Sequence, residues 1–307
     1  MTMSRKYILT ILLAGVWAVH FILMGALSKE ISPFATGTLV RFGTFLILTF
    51  ALLCTGRMPG LINLHGAGIK LFCIGVLGFL LDATSFVGFR FSNASTGTVL
   101  LKTDVVIASL ITVFVFKQRF RKLDWLFTGS ILIGVCLVMG INPIDLHFQV
   151  YDIFFILSAL FVTINAFLIK HVQETYHTAN YIIAYYNNLY TFILFTIVTL
   201  VSGRQIDIQF AMTQPRLLSL AGLGSVMQTL IYLLYYKSLS LLPVHIIKII
   251  LLLIPVFTMV FSIFLFGQYP TVTHLVGSVI VLASAFGIVY TQKNNQVTVC
   301  DFIERTR

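Results

Sequence analysis

Apolar segments of about twenty residues recur along this chain from Tyr7 to Tyr290, and that recurrence fixes its solvent. Each segment is long enough to cross ~30 Å of hydrocarbon as a helix. In that solvent every backbone N–H and C=O must find its partner inside the protein, and helices of this length satisfy the demand. The rest of the composition agrees: 58% of residues are hydrophobic and only 10% charged, with a mean hydropathy of +0.98. A soluble domain is about 25% charged. The chain reads as an all-α polytopic membrane protein with no soluble domain before, within or after its spans.

Hydropathy and helix breakers predict ten transmembrane helices, near 7–28, 34–54, 68–90, 95–116, 123–141, 151–171, 180–201, 216–236, 243–266 and 271–290. The separators are short and turn-rich: SKEISP, GRMPG, KQRFRK, INPID, SGRQID and GQYP. Pro33, Pro143, Pro243 and Pro270 fall at or near helix starts, where the missing N–H is harmless. Pro255 falls inside the ninth span and should kink it. The first segment follows Arg5 and Lys6 as a signal peptide would, but its apolar stretch is long for a signal core, so it reads as an uncleaved helix.

An even number of spans puts both termini on one side. With the termini inside, Arg57, Lys117, Arg119, Arg121, Lys122, Lys170 and Lys237 join the terminal basic residues there, against Lys29, Arg90, Arg204 and Arg216 outside. This asymmetry predicts cytoplasmic termini. It also accounts for the net charge of +10 through topology and anionic lipid, with no nucleic acid as partner. Cys54, Cys73, Cys136 and Cys300 show no paired spacing, so neither a disulfide framework nor a metal site is expected, and no cofactor. Residues 293–307 read as a cytoplasmic tail.

The chain carries a weak internal repeat. CTGR at 54–57 resembles VSGR at 201–204, an offset of 147, and FTGSILIGV at 127–135 resembles LVGSVIVLA at 275–283, an offset of 148. The organisation is a first five-helix repeat over 1–142 and a second over 143–292. A repeat with an odd number of spans enters the membrane in the opposite sense the second time, and inverted repeats are a transporter architecture with the substrate site near the midplane. LVRF in the second span, YYKSLSLLPVHIIKIILLLIPVFTMVFSIFLFGQ at 235–268 and the Gly-Ser tenth span resemble the drug/metabolite transporter superfamily, EamA-like branch. The resemblance covers about residues 7–290. It implies a bacterial inner-membrane transporter of small metabolites, and it departs from the family's pattern in the fourth span, where KTDV stands in place of a frequent proline.

Ionisable residues inside membrane helices are functional candidates by default. Lys102 and Lys248 lie in the fourth and ninth spans, which hold equivalent places in the two repeats. The resemblance puts both near a central path, where two ammonium groups favour a carboxylate or phosphate. Each also has a purely structural role open to it, pairing with a carboxylate or, for Lys248, snorkelling from near its helix start. Asp104 lies two residues from Lys102, about 200° around a helix, so the two cannot share a face. Asp82 in the third span is a candidate partner for either lysine, because consecutive helices usually pack together. Asp82 and Asp104 are the candidates for proton coupling, with a permanent Asp–Lys pair the alternative. Arg41 reads as a helix-packing residue, and Asn187 and Asn188 as interhelical hydrogen bonders.

His20, Trp17 and Asn165 fall where the family commonly has cavity-lining aromatic and amide residues. His245 shares a face with Lys248, and Gln228, Tyr232 and Tyr235 form a polar-aromatic stripe on the eighth span. Phe79 and Phe86 flank Asp82 on its own face.

The leading expectation is a secondary transporter of a small polar metabolite, anionic or zwitterionic, working by alternating access. No GxxxxGK[ST] loop exists, so the driving force is a gradient of substrate, proton or sodium. If the lysines are tied up elsewhere, an organic cation held by Asp82 and aromatics is the alternative. A membrane enzyme lacks any clustered carboxylates or HExxH, and a channel is the third class. A monomer and a homodimer both fit the sequence.

Overall fold

The computed structural model describes residues 3–64, 66–91, 100–117, 122–138, 150–266 and 271–292, and the regular elements within them are all helical. They are α1 (Met3–Glu30), α2 (Pro33–Cys54), α3 (Gly68–Phe91), α4 (Asp104–Phe114), α5 (Lys122–Val138), α6 (Ile153–Thr175), α7 (Asn180–Val201), α8 (Gln205–Thr213), α9 (Pro215–Leu241), α10 (Val244–Ile250), α11 (Ile254–Phe266) and α12 (Val272–Gln292). The SNASTG, INPID and GQYP connections, residues 118–121 and the tail lie outside the described residues, as does the side chain of Phe86.

Six of these helices are long and apolar enough to cross a membrane: Lys6–Ser28, Pro33–Cys54, Gly68–Ser85, Val150–Thr175, Asn180–Val201 and Pro215–Leu241. Asp104–Phe114, Val244–Thr258 and Leu275–Ser284 are shorter apolar helices. One expectation is corrected. Residues 205–213, read as part of a connection, form α8. Its polar positions hide it from hydropathy, yet Ile208 and Ala211 pack with Leu27, Ile31, Ala35 and Leu217. Asp207 Oδ2 also accepts the Ser32 N–H at 3.0 Å, beside the start of α2.

The repeated tetrapeptides close two helices in the same way. Gly56 (φ 64°) and Gly203 (φ 67°) hold the left-handed conformation that an L side chain rarely adopts. Each is followed by an arginine whose N–H reaches back five residues, Arg57 to the Leu52 carbonyl and Arg204 to that of Thr199, both at 2.9 Å.

Packing has a reciprocal pattern. α5 packs on α12, α2 on α7, and α4 on α10. α1 packs on α9 as α3 packs on α6; α2 on α9 as α7 on α3; α1 on α11 as α6 on α4. The set maps onto itself when α1 to α5 exchange, in order, with α6, α7, α9, α10–α11 and α12. Small residues allow the close approaches. A Cβ on Gly134 would stand 3.0 Å from the Gly277 carbonyl across the α5–α12 contact. Thr191 of α7 donates to the Gly75 carbonyl of α3 at 3.1 Å. Such contacts drive helix association where lipid is as apolar as the side chains.

Candidate functional site

The apolar run ending in Phe116 does not stay helical through Lys102 and Thr103. These two residues form a turn, and α4 starts afresh at Asp104. Bonds of the tighter i to i+3 kind run from the Thr103 N–H to Leu100 at 3.0 Å and from the Val105 N–H to Lys102 at 3.2 Å. The Thr103 hydroxyl adds a third bond to the Leu100 carbonyl at 2.6 Å, the local competition that loosens a helix at threonine. The ninth span breaks too. α10 ends at Ile250, Leu251–Leu253 form one 3₁₀ turn, and α11 follows. Its cause is Pro255, which has no N–H to give the Leu251 carbonyl. Thr103 and Leu251 lie 148 positions apart, the offset that relates the fifth and tenth spans.

The two interrupted spans meet through charge. Lys248 Nζ donates to Asp104 Oδ2 at 2.8 Å, with side chains 2% and 16% exposed. Beside this pair, Thr112 Oγ1 of α4 lies 3.5 Å from His245 Nδ1 of α10. Lys248 therefore does not snorkel. Its burial uncompensated would cost several kcal/mol, and the Asp104 carboxylate offsets that. Lys102 is half-buried and within electrostatic reach of both Asp104 and Lys248. Among the described residues it takes part in none of the ion pairs. Tyr235 of α9 shares the same electrostatic neighbourhood.

A second buried pair joins α2, α3 and α9. Arg41 Nη2 donates to Asp82 Oδ2 at 2.6 Å, with side chains 10% and 22% exposed. Its Nη1 donates to the Tyr232 hydroxyl, and the guanidinium carbon sits 5.3 Å from the Tyr232 ring centroid. The expected pairing of Asp82 with a lysine is thus corrected, since Arg41 holds it. Among the described residues α3 packs mainly against α6 and α7. Asn188 fixes the arginine's backbone by donating to the Arg41 carbonyl at 3.0 Å, and Asn187 donates to the Tyr236 hydroxyl. Rings link the clusters along α9: Tyr232 to Tyr236 at 5.5 Å and Tyr236 to Tyr235 at 6.0 Å.

The remaining candidates gather around these groups. His20 and Gln228 are buried, the first near Arg41 and the second beside the Tyr232 hydroxyl. Trp17 meets Tyr235 edge-on at 5.6 Å. Asn165 is buried on α6. Phe79 packs edge-on against Phe195 at 5.1 Å. His20 Nδ1, Asn165 Oδ1 and the Tyr235 hydroxyl are buried with no hydrogen-bond partner among the described residues, an unmet demand in a helix bundle.

Two positioning residues escaped the sequence reading. Lys170, placed in a basic cytoplasmic segment, is buried on α6 and donates to the Leu239 and Leu242 carbonyls at 2.8 and 3.1 Å. It also pairs with Glu174 at 3.2 Å. Gln173 donates to the Tyr236 carbonyl at 2.8 Å. Together they tie α6 to the C-terminus of α9, directly before the helix that carries His245 and Lys248. A lysine near a helix end with a glutamate four residues on gives no sequence signal that separates this role from a topogenic one.

Comparison with known proteins gives three results. The profile of the EamA-like transporter family matches residues 5–140 and matches again over 149–290. No curated protein matches the chain. Of 29 matching solved chains, one described as "Crystal structure of protein" aligns with a TM-score of 0.73 at 12% identity, covering 94% of this chain and 98% of its own. That likeness speaks to the fold.

Proposed function

Because the chain belongs to the EamA-like transporter family, and is therefore an integral membrane transporter of a small molecule and not an enzyme, we propose that it moves a metabolite bearing a negative group, an anion or a zwitterion, by alternating access. In this reading the chain crosses the membrane ten times, as two inverted five-helix repeats over 1–142 and 143–292. The termini and the tail at 293–307 face the cytoplasm of a bacterial inner membrane. The reciprocal packing and the two chain interruptions 148 positions apart support a two-fold relation between the halves.

The observation that carries the substrate reading is Lys102. It is a cation at the break of the fourth span, outside every ion pair among the described residues, beside a second lysine that is already neutralised. A substrate's carboxylate or phosphate supplies the missing counter-charge. Lys248, Tyr235 and Asn165 lie on the helices around it, with Trp17, His20, His245, Gln228 and Tyr232 completing the candidate surface. The organic-cation alternative needs a free Asp82, and the ion pair with Arg41 weighs against it. Both candidates for proton coupling, Asp82 and Asp104, are likewise committed to cations.

The test is a thermal-shift panel on detergent-purified protein, since a ligand that binds only the folded state raises its Tm. The panel holds amino acids, organic acids, phosphorylated metabolites, nucleobases and quaternary amines, run on wild type and on Lys102→Met. Stabilisation by an anionic or zwitterionic compound, lost in the variant, is the expected result. Stabilisation by cations alone, unchanged in Lys102→Met, refutes the reading.

A further inference from the structure

We infer that Asp104 sets the valence of the substrate, holding the site to ligands with one net negative charge; this rests on the anion reading above. The residues concerned form one electrostatic unit. Lys102 and Lys248 supply two cations and Asp104 one carboxylate, with Asp104 Oδ2 held 2.8 Å from Lys248 Nζ. The neighbouring Arg41–Asp82 pair is closed and neutral, so it adds no net charge. The unit therefore carries one uncompensated positive charge in a medium where unit charges interact far more strongly than in water.

A monoanion brings the unit to neutrality. A dianion leaves an excess negative charge facing the Asp104 carboxylate, which stands two residues from Lys102 on the same interrupted segment. The tethered carboxylate already occupies one of the two lysines, so it competes with any second negative group on the ligand. The buried Tyr235 hydroxyl, within electrostatic reach of Lys248 and Asp104 and without a partner among the described residues, offers a neutral hydrogen bond instead. Asp104 is thus a specificity-determining residue: removing its charge does not abolish anion binding but changes which anion is preferred.

The experiment compares carboxylates matched in skeleton and differing by one carboxylate: butyrate with succinate, 2-hydroxybutyrate with malate, and 2-oxobutyrate with oxaloacetate. Binding is titrated by thermal shift on the full chain in detergent at fixed ionic strength. Wild type should prefer the monoanion of a pair. Asp104→Asn leaves two cations and should shift the preference toward the dianion by about tenfold or more. Lys248→Met leaves Lys102 balanced by Asp104 and should weaken monoanion binding by a similar factor. Asp104→Asn combined with Lys248→Met restores one net positive charge, and monoanion preference should return. The double variant strands no buried charge, so it carries the test even where Asp104→Asn fails to fold. An unchanged preference in Asp104→Asn, or a double variant that binds monoanions no better than Lys248→Met, overturns the inference. No stabilisation by any of the six compounds in any variant also overturns the inference, and the wider panel of amino acids and phosphorylated metabolites then decides the anion reading on which it stands.

Discussion

The Arg41–Asp82 pair is accessible to a double-mutant cycle. Replacing Asp82 by Leu leaves a guanidinium whose side chain is only 10% exposed without its counter-ion. Breaking a buried pair by removing one partner costs about 3–5 kcal/mol. The lower end applies, because the Asp82 side chain keeps 22% exposure and Arg41 retains its bond to the Tyr232 hydroxyl and its place over the ring. Arg41→Met strands the carboxylate instead and should also cost about 3 kcal/mol. The double variant strands neither charge and should fall within about 1–2 kcal/mol of wild type, giving a coupling energy of about 3 kcal/mol or more. Tyr232→Phe, which removes one hydrogen bond to a charged donor, should cost about 1–2 kcal/mol. Equilibrium unfolding in mixed detergent micelles measures all four. If Asp82→Leu costs less than about 1 kcal/mol, or the double variant loses the sum of the singles, the pair is not the buried, mutually dependent contact described here.

Three further outcomes follow from the same geometry. Lys102→Met should change unfolding free energy by less than about 1 kcal/mol, whereas Lys248→Met, which takes the hydrogen-bonded partner from Asp104 and leaves it only the field of Lys102, should cost about 2–3 kcal/mol by the same micelle titration. Lys170→Met removes an ammonium from the Leu239 and Leu242 carbonyls at the end of α9 and should destabilise by about 1–3 kcal/mol, with Lys170→Arg recovering part of the loss in a melting series. Gly134→Val pushes a side chain into the Gly277 carbonyl and Val281 and should cost about 1–3 kcal/mol by unfolding, while Gly129→Val, at a position where an added Cβ meets nothing within 4 Å among the described residues, should be nearly neutral.

Legibility in the sequence divides along a physical line. Ends set by local chemistry were readable: a predicted span at 34–54 against Pro33–Cys54, where Ser32 and Pro33 open the helix, and 180–201 against Asn180–Val201. The paired CTGR and VSGR closures were visible for the same reason, because a left-handed glycine is a local requirement. The break at Lys102–Thr103 was not, since no proline marks it and a threonine back-bond leaves no distinctive pattern. Partners were least legible of all. Asp82 to Arg41, Lys248 to Asp104 and Lys170 to the end of α9 are pairings between helices distant in sequence, fixed by how the bundle packs. The rule that neighbours in sequence pack together pointed Asp82 the wrong way. α8 hid because a nine-residue helix lying partly exposed lacks the long apolar run that hydropathy detects.

The reciprocal packing has a consequence for how the chain acquires its structure. The extensive helix contacts among the described residues, α1–α9, α2–α7, α2–α9, α3–α6, α3–α7 and α5–α12, each join a helix of the first matched segment to one of the second. Neither segment is therefore a folding unit. When the ribosome has delivered α1 to α5 into the bilayer, those helices have lipid where their native neighbours belong, and the first half must wait, inserted but unassembled, until the second arrives. The contacts are long in sequence separation, so they form only once the second half has been made. Two half-chains made separately should be inert alone and regain structure only together.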